Sequence, residues 1–346
     1  MLKLLSKYRK WLVTFSFAYL YLLMVLIVPT NYKANTPGEV NNLNDVYTIE
    51  DRDIENNIST VSVYSWNSLT NLQKWLIENN ERFEINEKSL VDQSLSNNDL
   101  IKQGRISKDS SHQAAIISAY KHASLKDSSI NLEYKLESLV VYYSNHPEIA
   151  IGDEVFWINN VNLNNNNYQT VEDYLSEADA YQANRPNRIT GNNNPGLRVL
   201  INEEEPKNLL LNQNFFITFY PKYEIVKTVP NITFETRLNN GGPSGGFMQT
   251  LAIYTKLLNL KLNANISGTG TIIVDDLNSV GAIGGLTQKY YTVRRKMDYF
   301  FVPAVHEGEL DGIIKSSDKV KVIYVNDFTE FIESNLDMLV EVDSND

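Results

Sequence analysis

The feature that most constrains the fold is an uncharged apolar stretch of 18 residues, 11–28, reading WLVTFSFAYLYLLMVLIV. As a helix it approaches the ~20 residues needed to cross the hydrocarbon core of a bilayer. Positive charges precede it closely, and the next one, Lys33, follows only after the stretch has ended. The preceding basic residues are Lys3, Lys7, Arg9 and Lys10. Because positive residues stay on the cytoplasmic side, we expect a cytoplasmic N-terminus and an extracytoplasmic body.

A cleaved signal peptide is the competing interpretation of this stretch. Its apolar part is longer than the usual 7–15 residues of a signal peptide. The sequence PTNYKANT that follows offers no A-x-A-like cleavage site. We therefore predict an uncleaved anchor within residues 1–30, comprising a cytoplasmic tail and a transmembrane helix. No later segment is long and apolar enough to span, so the expected location is the cell membrane, with a single pass and a soluble ectodomain from residue 31.

The bulk composition limits the possible partners and chemistries. A length of 346 residues, with 42% hydrophobic and 11% aromatic residues, allows two or three packed domains. The net charge of −11 and the pI near 5.0 disfavour nucleic acid, which needs clustered Lys and Arg. The lack of cysteine excludes disulfides, thiolate metal sites and cysteine nucleophiles. No cofactor or metal is expected.

Residues 31–127 are assigned to an N-terminal ectodomain region of short β-like runs and helical stretches. Within it, SHQAAIISAYKHAS (111–124) is predicted to form an alanine-rich helix packed on a neighbour. This helix contains Ser118 and Lys121 in an S-x-x-K pattern, and Ser316 and Lys319 form another copy. The S-D-N and K-T-G partners of penicillin-binding chemistry are missing, so chance is the better account of both copies.

Residues 128–215 form a distinct β-rich unit. The phrase IGDEVFWINN (151–160) predicts a glycine turn that leads into an alternating strand. TVEDYLSEA (170–178) predicts a short helix with Thr170 as N-cap and Asp173 at its third position. These features resemble the second half of a PDZ domain, whose GD.I..ING motif opens a strand and whose helix lies beside a peptide groove. An asparagine-rich insert departs from that pattern, and a generic β-rich spacer is the alternative.

The stretch NNGGPSGGFMQTLAIYTKLLNL (239–260) surrounds one serine with glycines before a helical pattern. Ser244 should lie at the start of a helix over 244–260, where free N–H groups and the helix dipole can stabilise a developing oxyanion. The bare backbone of Gly242, Pro243 and Gly245 would let a peptide carbonyl approach these donors. The alternative is that Ser244 only caps the helix.

A nucleophilic serine also needs a base. The four histidines lie in no recognisable motif, which leaves a Ser-His-Asp triad open but unsupported. Downstream, GAIGGLTQK (281–289) places Lys289 after a second glycine turn, on a helix predicted over 286–297 with Arg294, Arg295 and Lys296 on its solvated face. Between the two motifs lie GTGTI and a predicted hairpin over 271–280 with a long polar turn.

Together these motifs resemble the proteolytic domain of Lon proteases, and most closely the membrane-anchored, PDZ-containing Lon-like proteases of bacteria. That family carries its serine in GGPSAG or DGPSAG and its lysine after G.IGG, and the order of segments matches along nearly the whole chain. Gly245 departs from the pattern, since the family has alanine there. The resemblance implies an α+β multidomain protein with an N-terminal transmembrane helix, a PDZ-like β-rich domain and a C-terminal α+β Lon-type protease domain over 216–346.

The resemblance also implies a serine endopeptidase in which Ser244 is the nucleophile and Lys289 the general base. A buried lysine can serve as a base because burial lowers its pKa from ~10.4. The chain has no G-x-x-x-x-G-K-[ST] loop, so no nucleotide is expected and proteolysis should be independent of ATP. Expected substrates are unfolded or flexible extracytoplasmic polypeptides, and ring formation in the family makes a homo-oligomer plausible. The alternative is an inactive, membrane-tethered PDZ-type peptide-binding adaptor.

Overall fold

The computed structural model describes residues 2–191, 198–201, 207–210, 214–235 and 242–340. Helices and strands alternate along the chain in a mixed α and β architecture with several sheets, preceded by one long apolar helix. Residues 192–195 of the asparagine-rich run GNNNP (191–195) and residues 239–241 of the stretch NNGGPSGG (239–246) lie outside the described residues.

The helices are α1 (Leu2–Ile27), α2 (Asn71–Ile77), α3 (Leu90–Ser94), α4 (Asn97–Ser124), α5 (Val171–Glu177), α6 (Gly246–Leu257), α7 (Leu286–Val293) and α8 (Phe328–Ser334). The strands in the first half of the chain are β1 (Tyr32–Asn42), β2 (Tyr47–Ile49), β3 (Ile58–Trp66), β4 (Glu84–Glu87), β5 (Asn131–Ser144), β6 (Glu154–Ile158) and β7 (Val161–Asn162). The remaining strands are β8 (Arg188–Thr190), β9 (Arg198–Ile201), β10 (Lys207–Leu210), β11 (Phe216–Val229), β12 (Ile232–Phe234), β13 (Ile266–Gly268), β14 (Thr271–Ile273), β15 (Asp276–Gly281), β16 (Tyr299–Pro303) and β17 (Lys321–Val325).

One large sheet has six strands in the order β17-β16-β13-β3-β1-β4. Its first half is parallel, and Ile266 of β13 pairs with Ile58 of β3. Its second half is antiparallel. Strands from residues 31–127 and from residues 216–346 therefore share one sheet, so the predicted division between these two regions does not separate two sheets.

The second large sheet is antiparallel and has seven strands, in the order β10-β9-β6-β5-β11-β8, with β7 paired to β6. Its longest pairing joins β5 to β11 over nearly their whole lengths. The predicted boundary at residue 216 coincides with the first residue of β11, whose partner β5 lies in the preceding region.

Helices α4 and α6 pack on each other and form much of the main hydrophobic core. Helix α4 begins at Asn97, well before the predicted start at residue 111, and Ser96 caps it. Ala115, Ile116 and Ala119 in its alanine-rich part are buried, as expected for a helix packed on a neighbour. A second core lies under the seven-stranded sheet and includes Tyr174 of α5.

Several local predictions can be compared with the structure directly. Thr170 caps α5 and its side chain accepts a hydrogen bond from Asp173 N, as predicted. Strands β14 and β15 form the predicted hairpin, but β15 already begins at Asp276, so the turn is shorter than expected. Helix α7 ends at Val293, and Arg294 is buried, so its assignment to a solvated helix face is wrong.

Helix α1 contains a 20-residue stretch, Tyr8–Ile27, that is long and apolar enough to cross a membrane, and none of it is buried against the rest of the protein. Some signal sequences near an N-terminus are also long and apolar enough to fit this description.

Candidate active site

Ser244 lies in the turn that leads into α6, two residues before the helix begins at Gly246. The N-cap position belongs to Gly245, and no side chain caps the helix. The helix-cap interpretation of Ser244 is therefore wrong. The hydroxyl of this half-buried serine is directed elsewhere.

Two segments hold the turn at residues 242–245 by hydrogen bonds. The first is α4, where Gly104 O accepts from Gly242 N (3.2 Å) and Ser111 Oγ donates to Pro243 O (3.2 Å). The second is the connection between β13 and β14, which donates two hydrogen bonds to Ser244 O. Those two bonds come from the backbone N–H of Gly270 (2.8 Å) and the hydroxyl of Thr269 (3.1 Å).

Lys289 approaches the same turn from α7. Its backbone N–H bonds to the carbonyl of Gly285 (3.0 Å), and Gly285 adopts the left-handed conformation, with φ of 66°. This glycine lets the chain turn sharply from the β15 side into α7. The first turn of α7 thus carries Lys289 inward, and the lysine is only 2% exposed.

The structure brings Ser244 and Lys289 together. Lys289 Nζ lies 3.0 Å from Ser244 Oγ and 2.9 Å from Thr269 Oγ1. Burial lowers the pKa of Lys289 to about 7 because removing the amine from water disfavours its charged form. A large fraction of this lysine is therefore a neutral amine near neutral pH.

The hydrogen bonds of Thr269 define the direction of the amine. The Thr269 hydroxyl has one proton, which it donates to Ser244 O, so its oxygen accepts from Lys289 Nζ. A neutral amine has one lone pair, which can then accept the proton of the Ser244 hydroxyl. The three residues form a closed chain in which the lysine is oriented as a base toward the serine.

The predicted oxyanion residues differ in what they can donate. Pro243 has no N–H, and the N–H of Gly242 is already bonded to Gly104 O. Within the part of the chain that the structure describes, the N–H groups of Ser244 and Gly245 have no acceptor. These two adjacent amides are the donors that a developing oxyanion could use, while Gly242 and Pro243 shape the turn.

The histidines do not supply an alternative base. Among the described residues none of them bonds to Ser244, and each has other partners. Those partners are Tyr47 for His112, Ser118 and Asn278 for His122, Glu148 for His146, and Ile283 and Glu309 for His306. A Ser-His-Asp triad on Ser244 therefore has no support in this geometry.

The two S-x-x-K patterns are not dyads. Ser118 donates to Leu277 O (3.4 Å), while Lys121 bonds to Tyr134 (2.7 Å). In the second copy, Lys319 pairs with Asp298 (2.9 Å) and Ser316 is exposed. These pairs serve as controls for the Ser244 and Lys289 pair.

Thr269 is the site residue that the sequence reasoning did not single out. It lies in the GTGTI segment between the serine and lysine motifs, which the sequence shows, but its hydrogen bonds to Ser244 and Lys289 follow only from the tertiary structure.

No group of three or more His, Asp or Glu that could hold a metal ion occurs in the described ranges. No family model matches this chain, and no curated protein matches it.

Proposed function

We propose that this protein is a serine endopeptidase of the Lon-like type, in which Ser244 is the nucleophile and Lys289 the general base. The observation that carries the proposal is the 3.0 Å contact between a half-buried serine hydroxyl and a buried amine whose pKa is lowered to about 7. A serine is a weak nucleophile unless an adjacent base removes its proton. A base with a pKa near the working pH is suited to this task.

In the proposed reaction, Ser244 Oγ attacks a peptide carbonyl carbon while its proton passes to Lys289 Nζ. The carbonyl oxygen becomes an oxyanion that accepts hydrogen bonds from the amides of Ser244 and Gly245. Lys289 then gives the proton to the leaving amine as the C–N bond breaks, which leaves an acyl group on Ser244. Water attacks this ester, its proton passes to Lys289 and then to Ser244 Oγ, and the acid product departs.

The C-terminal region 216–346 is proposed to be the Lon-type proteolytic domain, and the chain is proposed to act without nucleotide. Residues 128–215 are proposed to be a PDZ-like unit that presents substrate ends. The turn at Gly152 (φ 96°), strand β6 and the capped helix α5 support this second assignment.

Helix α1 is proposed to anchor the chain in the cell membrane with the body outside. Because this sequence contains no Walker A loop, which an ATP-driven unfolding motor needs, the proposed substrates are unfolded or flexible polypeptides.

The test uses the full chain in detergent or lipid nanodiscs, with an unfolded, fluorescently labelled protein as substrate and no nucleotide. Wild type is compared with Ser244→Ala and Lys289→Met. Ser316→Ala and Lys319→Met, taken from the accidental S-x-x-K pair, serve as matched controls. We expect cleavage by wild type and both controls, with a loss of about 1000-fold or more in the two site variants.

Cleavage that survives Ser244→Ala would disprove the proposed nucleophile. Absence of cleavage by folded wild type at any pH from neutral to alkaline would favour a tethered peptide-binding adaptor.

The PDZ-like assignment is tested separately with substrates that differ only in a free or an amidated C-terminus. If residues 128–215 present a terminal carboxylate, amidation should raise KM and leave kcat unchanged.

A further inference from the structure

We propose that helices α2 and α3 form a membrane-proximal face that lies in the headgroup layer of the bilayer crossed by α1. The membrane-proximal face consists of Trp75 and Leu76 of α2 and Leu90 and Val91 of α3. This inference goes beyond the proposed proteolysis, and it rests on the proposal that α1 spans the membrane. The partner is a phospholipid surface.

The backbone ties α2 to the point where α1 ends. Pro29, two residues after the last residue of α1, forms a β-bridge with Thr70, which caps α2. Thr30 N donates to Leu69 O (2.7 Å), and Leu69 N donates to Tyr32 O (2.9 Å). These backbone hydrogen bonds fix helix α2 beside the exit of α1.

Helix α3 is tied to the same segment. Lys88 N donates to Asn31 O (2.8 Å), and Leu90 follows two residues later. Asp92 of α3 pairs with Lys33 through a 2.8 Å contact. Both helices thus lie on residues 29–33, the first residues outside the apolar span.

The depth of these contacts matches the headgroup layer. The layer is about 5–7 Å thick on each side, from a hydrocarbon core of ~30 Å within a bilayer of ~40–45 Å. Pro29 can lie at most about 7 Å beyond Ile27, given about 3.5 Å per extended residue. Helix α2 starts beside this residue, so its seven residues, about 10 Å long, lie at or next to the interface.

The face is more exposed than a water-soluble helix pair would explain. Trp75 is 66% exposed, Leu76 63% and Leu90 85%, and neither α2 nor α3 contains a buried residue. Short helices without a buried side have little to stabilise them beyond their caps. At the end of α1, the apolar side chains of Ile27 and Val28 are exposed as well.

The charges nearby favour an apolar contact over attraction to anionic lipid. Lys74 lies over the ring of Tyr32 (3.5 Å) and Lys88 bonds to Ser68, so both already have partners. The exposed Glu78 and Glu81 follow α2 directly. A tryptophan beside leucines, with few free cations, fits the headgroup region of a zwitterionic membrane, where aromatic residues are enriched.

The absence of cysteine permits a direct test, because single cysteines can be introduced and labelled with a nitroxide. The full chain is placed in phosphatidylcholine nanodiscs with a label at Leu76→Cys or Leu90→Cys. Phe17→Cys, in the middle of α1, is the lipid reference. Leu125→Cys, 80% exposed at the end of α4, is the matched water reference. Collision rates with oxygen and with a water-soluble nickel chelate give the depth of each label.

We expect the labels at Leu76 and Leu90 to be protected from the nickel chelate at least 3-fold relative to Leu125, at a depth between Leu125 and Phe17. Labels as accessible as Leu125 would overturn the proposal. Dipolar broadening that disappears on dilution with unlabelled protein, without protection by lipid, would assign the face to a second copy and also overturn it. A water-like Phe17 would disprove the membrane span itself, an outcome that leaves the cleavage assay with Ser244→Ala unaffected.

Discussion

Lys289 Nζ lies 3.0 Å from Ser244 Oγ although 45 residues separate them in the chain. The contact joins the turn before α6 to the first turn of α7, and Thr269 bonds to both residues. A buried lysine in contact with a serine has few purely structural explanations, because burying an amine is unfavourable unless it is neutral or paired. We therefore expect both the rate of cleavage and the stability of the protein to depend on pH through Lys289.

The first prediction concerns the pH profile of cleavage. Because the pKa of Lys289 is lowered to about 7 by burial, kcat/KM should fall about 10-fold per pH unit below 7 and level off above it. The measurement is kcat/KM for an unfolded substrate between about pH 5 and pH 9. A profile that still rises about 10-fold per pH unit at pH 9 would show that Lys289 does not act as a base with a lowered pKa.

The second prediction concerns Thr269, which orients the amine. Thr269→Val keeps the shape of the side chain but removes the hydroxyl that accepts from Lys289 and donates to Ser244 O. We expect kcat to fall about 10–100-fold with little change in KM, which is the range of a lost orienting hydrogen bond. Thr269→Ser, which retains the hydroxyl, should restore most of the activity. Equal losses in both variants would assign Thr269 a packing role only.

The third prediction concerns stability. The pKa of Lys289 is lower in the folded than in the unfolded protein, so the unfolded chain binds more protons between about pH 7 and pH 10. In that range this residue makes the free energy of unfolding increase with pH, by up to about 1.4 kcal/mol per unit. Lys289→Met removes the buried amine, so it should raise the melting temperature more at pH 6 than at pH 9. A shift that is equal at both pH values would contradict the lowered pKa.

Local structure was well predicted from the sequence where a short-range rule decides it. Thr170 as the cap of α5 follows from a hydrogen bond between residues three apart, which the sequence displays directly. The length of α4 was underestimated because its first part is polar and lacks an apolar stripe. The buried state of Arg294 was missed because its partner, Asp318, is distant in sequence.

Contacts between residues that are distant in the chain could not be predicted from local sequence patterns. The pairing of Ile266 with Ile58 places strands from the two ends of the chain side by side, and no local period encodes it. Ser244 and Lys289 were selected through resemblance to a protease family, since a glycine-framed serine alone also fits a helix cap. The structure provides their separation and adds Thr269, whereas their catalytic role stays a prediction.

The last prediction concerns Gly245, where the resembling family has alanine. A Cβ at this position would lie 3.1 Å from Thr60 Cγ2 of β3 and 3.3 Å from Gln249 Nε2, closer than the ~3.5–4.0 Å of an ordinary contact. An alanine methyl would therefore require the threonine methyl to move by a few tenths of an ångström, although the backbone conformation of Gly245 (φ −90°) suits alanine. Gly245→Ala alone should lower the free energy of unfolding by about 1–2 kcal/mol through overpacking.

Thr60→Ser removes that methyl and retains the hydroxyl, so the double variant should recover the lost stability. Denaturant unfolding of wild type, both single variants and the double variant gives the coupling energy, which we expect to be about 1 kcal/mol in favour of the double variant. The two sites contact each other, so additive effects would contradict the close packing of the Ser244 turn on β3. Cleavage measured on the same four proteins would then report whether the position of this turn, and not only its stability, sets the activity.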